Sequence, residues 1–147
     1  TACSGIPTPS SSSPSPSTSS PSPTQVNIVG CYGVWQGKNH YNLDIISVTG
    51  AHVVGRMTYD NYQFDSSQGE YVGEYSNNQL LGIYSFVAEG AFSRRDLIFK
   101  RVGGSFIEGF GDVQTIGNYD HLLDPSRVTW DPAFTFSPES TCPAVWK

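Results

Sequence analysis

The chain has 147 residues and a formal charge of −5, and its eight Lys and Arg residues are too few for an ordinary nucleic-acid-binding surface. No apolar run approaches the roughly 18–20 residues that a membrane-spanning helix needs. The composition also excludes collagen, a coiled coil and a wholly disordered protein, because the 3 Trp, 8 Tyr and 8 Phe all follow residue 25 and can form a core.

Residues 1–25 have the features of a tethered N-terminus. Thr1 and Ala2 precede Cys3 as small residues precede the invariant cysteine of a bacterial lipobox, so this start resembles the last part of such a motif. In lipoproteins of this kind a signal peptidase cuts before the cysteine, whose thiol carries diacylglycerol. From Thr8 to Thr24 every residue is Ser, Pro or Thr, and such a segment has too little apolar surface to offset its ordering entropy. We therefore expect lipidation of Cys3, a disordered tether and an extracytoplasmic protein anchored to the bacterial cell membrane. The alternative is a chance Thr-Ala-Cys.

The two other cysteines, Cys31 and Cys142, flank the single domain that we expect at 26–147. A protein that matures outside the cytoplasm meets conditions in which thiols oxidise, which favours a disulfide between these two residues. The alternatives are a metal-binding pair or two free thiols, but metal spacing such as Cys-x-x-Cys is absent.

Short runs of alternating apolar residues, with turn residues between them, follow Gln25 and predict an antiparallel meander. The predicted strands are 26–37, 41–48, 52–59, 70–76, 79–88, 93–102, 105–113 and 127–136. About eight strands favour an all-β fold that closes into a single barrel similar to those of lipocalins and other calycins, with room for side chains or one small ligand. The only helix we expect is one turn over 119–124, ended by Pro125.

An apolar-x-Gly-x-apolar pattern recurs around Gly55, Gly73 and Gly82, and more loosely around Gly109. Glycine inside a strand usually weakens it, unless the strand bends sharply or another backbone comes close. At matched heights in successive strands, these glycines would let the sheet coil into a barrel. The alternative is that glycine, at 15 residues, is simply common in this chain.

The order of short motifs resembles that of a group of small bacterial lipoproteins. The motifs of this chain are Cys31-Tyr32, then Tyr84-Ser85-Phe86 with Glu89-Gly90 and Ser93, then Glu108-Gly109-Phe110-Gly111. The group's domains read Cys-Tyr, Tyr-x-Phe-x-x-Glu-Gly-x-x-Ser and Glu-Gly-Tyr-Gly, so Phe110 stands where a tyrosine is usual. The resemblance implies a lipoprotein with a compact β domain, and it implies no particular activity.

Residue types that carry catalysis or hold metals do not form a pattern in this chain. No Gly-x-Ser-x-Gly surrounds a serine, and Ser93 fits a turn better than a nucleophile. His40, His52 and His121 lack metal-ligand spacing, so we expect no metal and no cofactor. These observations favour a protein that is not an enzyme.

Three charged residues, Glu89, Arg95 and Glu108, form the candidate site. Period-two alternation places Arg95 and Glu108 on the apolar faces of the predicted strands 93–102 and 105–113, which should be neighbours in a hairpin. The two side chains would then meet inside the barrel and could serve as a polar anchor in a ligand cavity. The alternatives are a structural ion pair that fixes register, or the opposite orientation with Ile98 and Ile107 inside.

The leading hypothesis is a monomeric surface protein, anchored to the membrane through lipid on Cys3, whose non-enzymatic barrel binds a small molecule, a glycan or a protein. A second hypothesis is an inhibitor or interaction protein with a filled barrel, acting through loops such as 60–70 and 117–127. A third is a hydrolase that uses the Glu/Arg cluster. An open lumen would favour the first hypothesis, and a packed lumen the second.

Overall fold

The structure, a computed structural model, describes residues 5, 27–63, 65–88 and 90–142. The strands in this part of the chain are β1 (Gly30–Gln36), β2 (Asn39–Thr49), β3 (His52–Asp60), β4 (Ser67–Ser76), β5 (Gln79–Ala88), β6 (Ala91–Val102), β7 (Ser105–Phe110), β8 (Val113–Ile116), β9 (Tyr119–Leu122) and β10 (Thr129–Glu139). A 3-10 turn, Pro125–Arg127, precedes β10. Among the described residues, no helix has the length and apolarity that crossing a membrane requires.

Eight of these strands, β1 to β7 and β10, close an antiparallel barrel, which confirms the predicted all-β fold. Each strand from β1 to β6 pairs with the next one along the chain, and β10 lies between β7 and β1. The hairpin β8–β9 lies outside this ring. Its strand β9 runs parallel to β6 and pairs with Arg94 and Arg95.

Inward-facing side chains fill most of the barrel. Successive residues of a strand point to opposite faces, so alternate apolar residues of each barrel strand reach the interior, as the sequence predicted. The largest of the fully buried side chains are Tyr71, Tyr84, Phe99, Phe106 and Phe136. Most of these rings pack edge to face, as Phe99 does on Phe136 with the two centroids 5.5 Å apart, whereas Tyr84 stacks on Phe86.

The two ends of the barrel differ. At one end, which we call the closed end, Ile28 lies fully buried among the core residues, and its carbonyl accepts a hydrogen bond of 2.8 Å from the Tyr32 hydroxyl. The β2–β3, β4–β5 and β6–β7 turns lie at this end, and residues 27–29 enter the barrel there. The opposite, open end carries the β1–β2, β3–β4 and β5–β6 connections.

Two of the strand glycines let neighbouring backbones approach closely. Gly73 and Gly82 are direct partners on β4 and β5. A Cβ atom on Gly73 would lie 2.5 Å from the Leu81 carbonyl oxygen and 2.7 Å from the Gly82 Cα. Both are backbone atoms of the adjacent strand, so a side chain at this position would push β4 and β5 apart.

The predictions for the C-terminal part of the domain are wrong in two places. Residues 119–124 do not form a helical turn, because Tyr119–Leu122 is β9. Pro125 begins a turn instead of ending one: proline suits the first helical position, and the Asp124 side chain caps the turn by accepting a hydrogen bond of 3.0 Å from the Ser126 amide. The predicted strand 105–113 also ends early, at Phe110.

A disulfide joins Cys31 to Cys142, as the sequence predicted, with the two Cα atoms 5.4 Å apart. Cys31 lies in β1, and Cys142 follows β10, the strand that pairs with β1. The bridge therefore links the first and last strands of the barrel, β1 and β10, at the seam where the two ends of the domain meet. Asp44 lies beside both sulfur atoms, but cysteines bonded to each other do not offer thiolates to a metal.

Candidate ligand-binding site

A cup of about 310 Å³ lies at the open end of the barrel, above the filled core. Ring and polar side chains from most of the barrel strands line it. The lining residues are Tyr41, Tyr59, Asn61, Ser67, Phe86, Arg95, Glu108, Phe110 and Phe134. We refer to this set as the open-end cup.

Four aromatic rings form a continuous wall of the open-end cup. The ring centroids of Tyr41 and Tyr59 are 5.1 Å apart, and those of Phe110 and Phe134 are 5.0 Å apart. The Tyr41 and Phe134 rings are parallel with centroids 6.2 Å apart, which joins the two pairs. The Tyr41 hydroxyl donates a hydrogen bond of 3.1 Å to Asn61 Oδ1. The wall therefore offers flat apolar faces with polar groups at its edge.

Arg95 brings a positive charge into this aromatic setting. It lies on β6 opposite Tyr84, on the inward face, and it is half-buried. Its guanidinium carbon is 5.2 Å from the Tyr59 ring centroid and 5.8 Å from the centroids of both Tyr84 and Phe86. Cation–π attraction to these rings holds the guanidinium in place. The Arg95 Nε is buried and has no hydrogen-bond partner.

Glu108 is a buried carboxyl group on the same inner surface. It is 5 % exposed, and the Tyr59 hydroxyl donates a long hydrogen bond of 3.4 Å to its Oε1. Burial raises the pKa of the Glu108 carboxyl to about 7, and the positive charge of Arg95 and the Tyr59 hydrogen bond offset only part of this effect. Near neutral pH, the Glu108 carboxyl is therefore protonated in some molecules, where it can donate a hydrogen bond, and ionised in the others.

The expectation that Arg95 and Glu108 form a direct pair is wrong. Both residues are described, and no nitrogen–oxygen distance between their side chains is 4.0 Å or less. Register explains the separation, because Glu108 pairs with Phe99, four residues from Arg95 along β6. At about 3.4 Å per residue in an antiparallel strand, the two backbone positions differ by roughly 14 Å along β6. The alternative orientation, with Ile107 inside in place of Glu108, is also excluded by the burial of Glu108.

A smaller cavity, of about 100 Å³, lies beside the two charged residues in the wall of the barrel. The β6–β7 ladder ends at the pair Ile98 and Gly109, and β9 replaces β7 as the neighbour of β6 beyond that point. Arg95, Glu108 and Phe110 line both this cavity and the open-end cup. The charged side chains thus lie where the wall opens between β6 and β7.

Phe134, which was not among the predicted site residues, reaches the cup through an irregular part of β10. The pairing of β10 with β7 shifts register between Trp130 and Thr135. Within this segment the Ala133 amide donates a hydrogen bond of 3.0 Å to Asp131 Oδ1, a turn in which an aspartate side chain substitutes for backbone. The dipeptide Asp131-Pro132 was the available signal, because proline is rare inside a paired strand.

The structure does not describe two of the predicted functional residues, the lipidation site Cys3 and the cluster residue Glu89. The three-residue cluster is therefore described only through Arg95 and Glu108.

The histidines lie outside the cup. His40 Nε2 is 2.9 Å from Glu139 Oε1, and the ring of His40 stacks on Trp35 with centroids 4.1 Å apart. His121 stacks on Tyr119, with the ring centroids 3.6 Å apart. These partners give both rings a structural environment on the outer surface of the barrel.

Comparison of the chain with models of protein families, with curated proteins and with solved structures finds no match in any of the three. The resemblance to small lipoproteins accordingly stays a prediction. Function has to be inferred from the open-end cup and from its position in the fold.

Proposed function

We propose that this chain is a lipid-anchored surface protein whose barrel binds a small planar molecule in the open-end cup and catalyses no reaction. The observation that carries this proposal is the combination of aromatic walls with two convergent charged groups, Arg95 and Glu108. Ligand sites in proteins are typically concave and mostly apolar, with a few polar groups that fix the orientation of the ligand. The open-end cup combines a concave shape and aromatic faces with such polar groups.

The size of the cup limits the ligand. Its volume of about 310 Å³ lies at the lower end of the roughly 300–1,000 Å³ that small-molecule pockets span. Below the cup, Tyr71, Tyr84 and Phe99 are fully buried and fill the lumen. A long acyl chain therefore has no space along the barrel axis, and a compact ring system fits better.

The direction of the cup supports display at a membrane surface. Residues 27–29 join the barrel at the closed end, and the cup lies at the opposite end. A barrel held through Cys3 and the predicted tether would therefore carry its cup at the end farthest from the point of attachment. Ligands in the surrounding medium would then reach the cup without approaching the lipid.

Phe110 allows a direct test of the binding site. It is 42 % exposed and contributes one wall of the cup, so Phe110→Ala should leave the fold intact and weaken ligand binding at least tenfold. Phe92→Ala is the matched control, because Phe92 is 59 % exposed and lies outside the cup. Native mass spectrometry of protein isolated from its own cells would report the bound ligand. Equal ligand occupancy in the two variants would contradict the proposed site.

Cys3 tests the anchor separately. Cys3→Ala removes the thiol that carries the lipid, and this variant should leave the membrane fraction, because two or three acyl chains provide stable anchoring that the protein surface does not. Cys142→Ser is a control that removes a different cysteine. Membrane recovery of Cys3→Ala at the level of the unmodified chain would exclude lipid anchoring through this residue.

Two observations favour the second candidate function, an interaction protein that acts through its loops. The first is the packed lumen, which Tyr71, Tyr84 and Phe99 fill below the cup. The second lies in the loop after β3. The loop after β3 is fixed by internal hydrogen bonds: the Asn61 amide donates to Ser66 Oγ at 2.8 Å, and Asn61 Nδ2 donates to the Asp65 carbonyl at 2.9 Å. A preorganised loop loses less entropy when a protein partner binds. Tyr62→Ala would weaken binding of such a partner, whereas Phe110→Ala would not.

A further inference from the structure

We propose that the open-end cup selects small planar monocarboxylates, with the aromatic walls holding the ring and the Arg95 guanidinium holding the carboxylate. This inference rests on the proposed function, because it names the ligand class of the same site. It depends on three features: an unpaired guanidinium, a flat aromatic wall and a neighbouring carboxyl group that can donate a proton.

The guanidinium of Arg95 is available to an anion. No carboxylate oxygen of a described residue lies within 4.0 Å of it, and its Nε has no hydrogen-bond partner. The rings of Tyr59, Tyr84 and Phe86 fix its position without neutralising its charge. A guanidinium binds a carboxylate through two parallel hydrogen bonds, a geometry that no neutral ligand group reproduces fully.

The walls of the cup favour a planar body behind that carboxylate. Phe110 and Phe134 meet at 66° with centroids 5.0 Å apart, and Tyr41 lies parallel to Phe134. Rings in such arrangements accept a further ring by stacking or by edge-to-face contact. One carboxylate is enough, because Arg95 is the only cation among the described residues that line the cup.

The protonation state of Glu108 determines the pH range in which the cup binds an anion. The titratable and charged groups packed around Glu108 and the cup are Tyr41, Tyr59, Tyr71, Tyr84, Arg95 and Asp96. While Glu108 keeps its proton, the cup holds the net positive charge of Arg95, and the Glu108 hydroxyl can donate to the bound carboxylate. Once Glu108 loses its proton, it repels the ligand. Burial raises the pKa of Glu108 to about 7, which places this change near neutral pH.

The test uses the full 147-residue chain, labelled with ¹⁵N, and three probes of similar shape: benzoate, benzamide and benzylammonium. Benzoate should shift the Arg95 Nε–Hε resonance and the amide resonances of the cup in a saturable manner. Its Kd should rise about 30-fold between pH 6 and pH 8.5, because only the form with protonated Glu108 binds it well. Benzamide and benzylammonium should bind at least tenfold more weakly than benzoate at pH 6.

Variants separate the roles of the two charged groups. Arg95→Met should abolish benzoate binding, whereas Arg94→Met, on the outer surface over Tyr119, should leave it unchanged. Glu108→Gln keeps a hydrogen-bond donor without an ionisable proton, so benzoate should bind with a Kd that no longer depends on pH. Retention of benzoate binding by Arg95→Met would overturn the proposal.

Failure of the ligand class can be distinguished from failure of the site. If benzamide or benzylammonium shifts the cup resonances as strongly as benzoate does, selection for carboxylates is wrong and the binding site stands. If none of the three probes shifts any resonance of the cup at pH 6, both the ligand class and the cup as a site for small planar molecules are wrong.

Discussion

Glu108 is a carboxyl group that the barrel removes from water without giving it a cation in direct contact. Such a group loses hydration on folding and so favours its neutral form. The pKa of Glu108 in the folded state is about 7, above the ordinary value of 4.5. Since the unfolded chain releases this proton at lower pH than the folded chain does, ionisation of Glu108 opposes folding.

The sign of the effect on stability follows from the two pKa values. Below pH 4.5 both states carry the proton and Glu108 has no effect, whereas between pH 4.5 and 7 the unfolded state loses it first and the free energy of unfolding falls. Above pH 7 the reduction in the free energy of unfolding is constant at about 3 kcal/mol. We therefore expect the urea midpoint of the unmodified chain to decrease from pH 5 to pH 8.

Glu108→Gln should remove this decrease. The variant should be more stable than the unmodified chain at pH 8 and similar to it at pH 5. Asp60→Asn, an exposed change at the end of β3, is the control and should leave the pH dependence in place. A direct buried pair would have made Glu108→Gln destabilising, but the separation of Arg95 from Glu108 removes that expectation. A lower midpoint for Glu108→Gln at pH 8 would contradict this account.

At the scale of strands, the sequence predicted which face of each strand is buried but did not predict how β6 and β7 align. Alternation in the β5 segment correctly places Leu80 and Tyr84 inside, because period two depends only on local order. The register of Arg95 against Glu108 depends instead on where the β6–β7 ladder ends and β9 becomes the neighbour of β6. That exchange involves residues far apart in the chain, so no local pattern could have revealed it.

Local sequence patterns also could not predict the full set of residues that line the open-end cup. Arg95 and Glu108 were identified from their apolar neighbours in sequence, whereas Tyr41 and Phe134 join the cup only through closure of the barrel and the irregular pairing of β10. An aromatic residue in a strand is most often core, so its sequence neighbours give no reason to assign it to a site.

The pairing of β4 with β5 gives a prediction at this scale. Gly73→Ala places a methyl group against backbone atoms of β5, at 2.5 Å and 2.7 Å, and should cost about 1–3 kcal/mol because the strands have to separate. Gly104→Ala is the matched control: the nearest atom to its Cβ would be Pro138 Cγ at 4.0 Å, an ordinary contact. Urea unfolding compares the two variants. Equal midpoints would show that close approach at Gly73 is unimportant for closure.

For the molecule as a whole, the disulfide and the cup lie at opposite ends of the barrel. The bridge between Cys31 and Cys142 spans 111 residues, and closing a loop of this length stabilises the fold by at most about 4–5 kcal/mol in the chain-entropy account. The core of Tyr71, Phe99 and Phe136 does not depend on the bridge. We therefore expect the barrel to fold without it.

The double variant Cys31→Ser, Cys142→Ser should unfold at lower temperature and keep its ligand affinity. Calorimetry measures the first quantity, and titration of benzoate at pH 6 measures the second. The control is the unmodified chain under reducing conditions, which should match the double variant. Loss of ligand binding at a temperature where the double variant is folded would show that the two ends are coupled.

The position of the bridge also determines how the barrel responds to force. Tension applied through residues 27–29 enters β1, and Cys31 is the second residue of that strand. Only Gly30, which pairs with Ile45 of β2, precedes the bridge in β1, so the covalent link to Cys142 receives the load before the other hydrogen bonds of β1 to β2 and β10 do. With the bridge intact, a pull from the N-terminal side is passed to both ends of the domain at once, and β1 is not peeled from its neighbours one residue at a time. A reduced barrel stretched from the same point would open at lower force, starting at the seam.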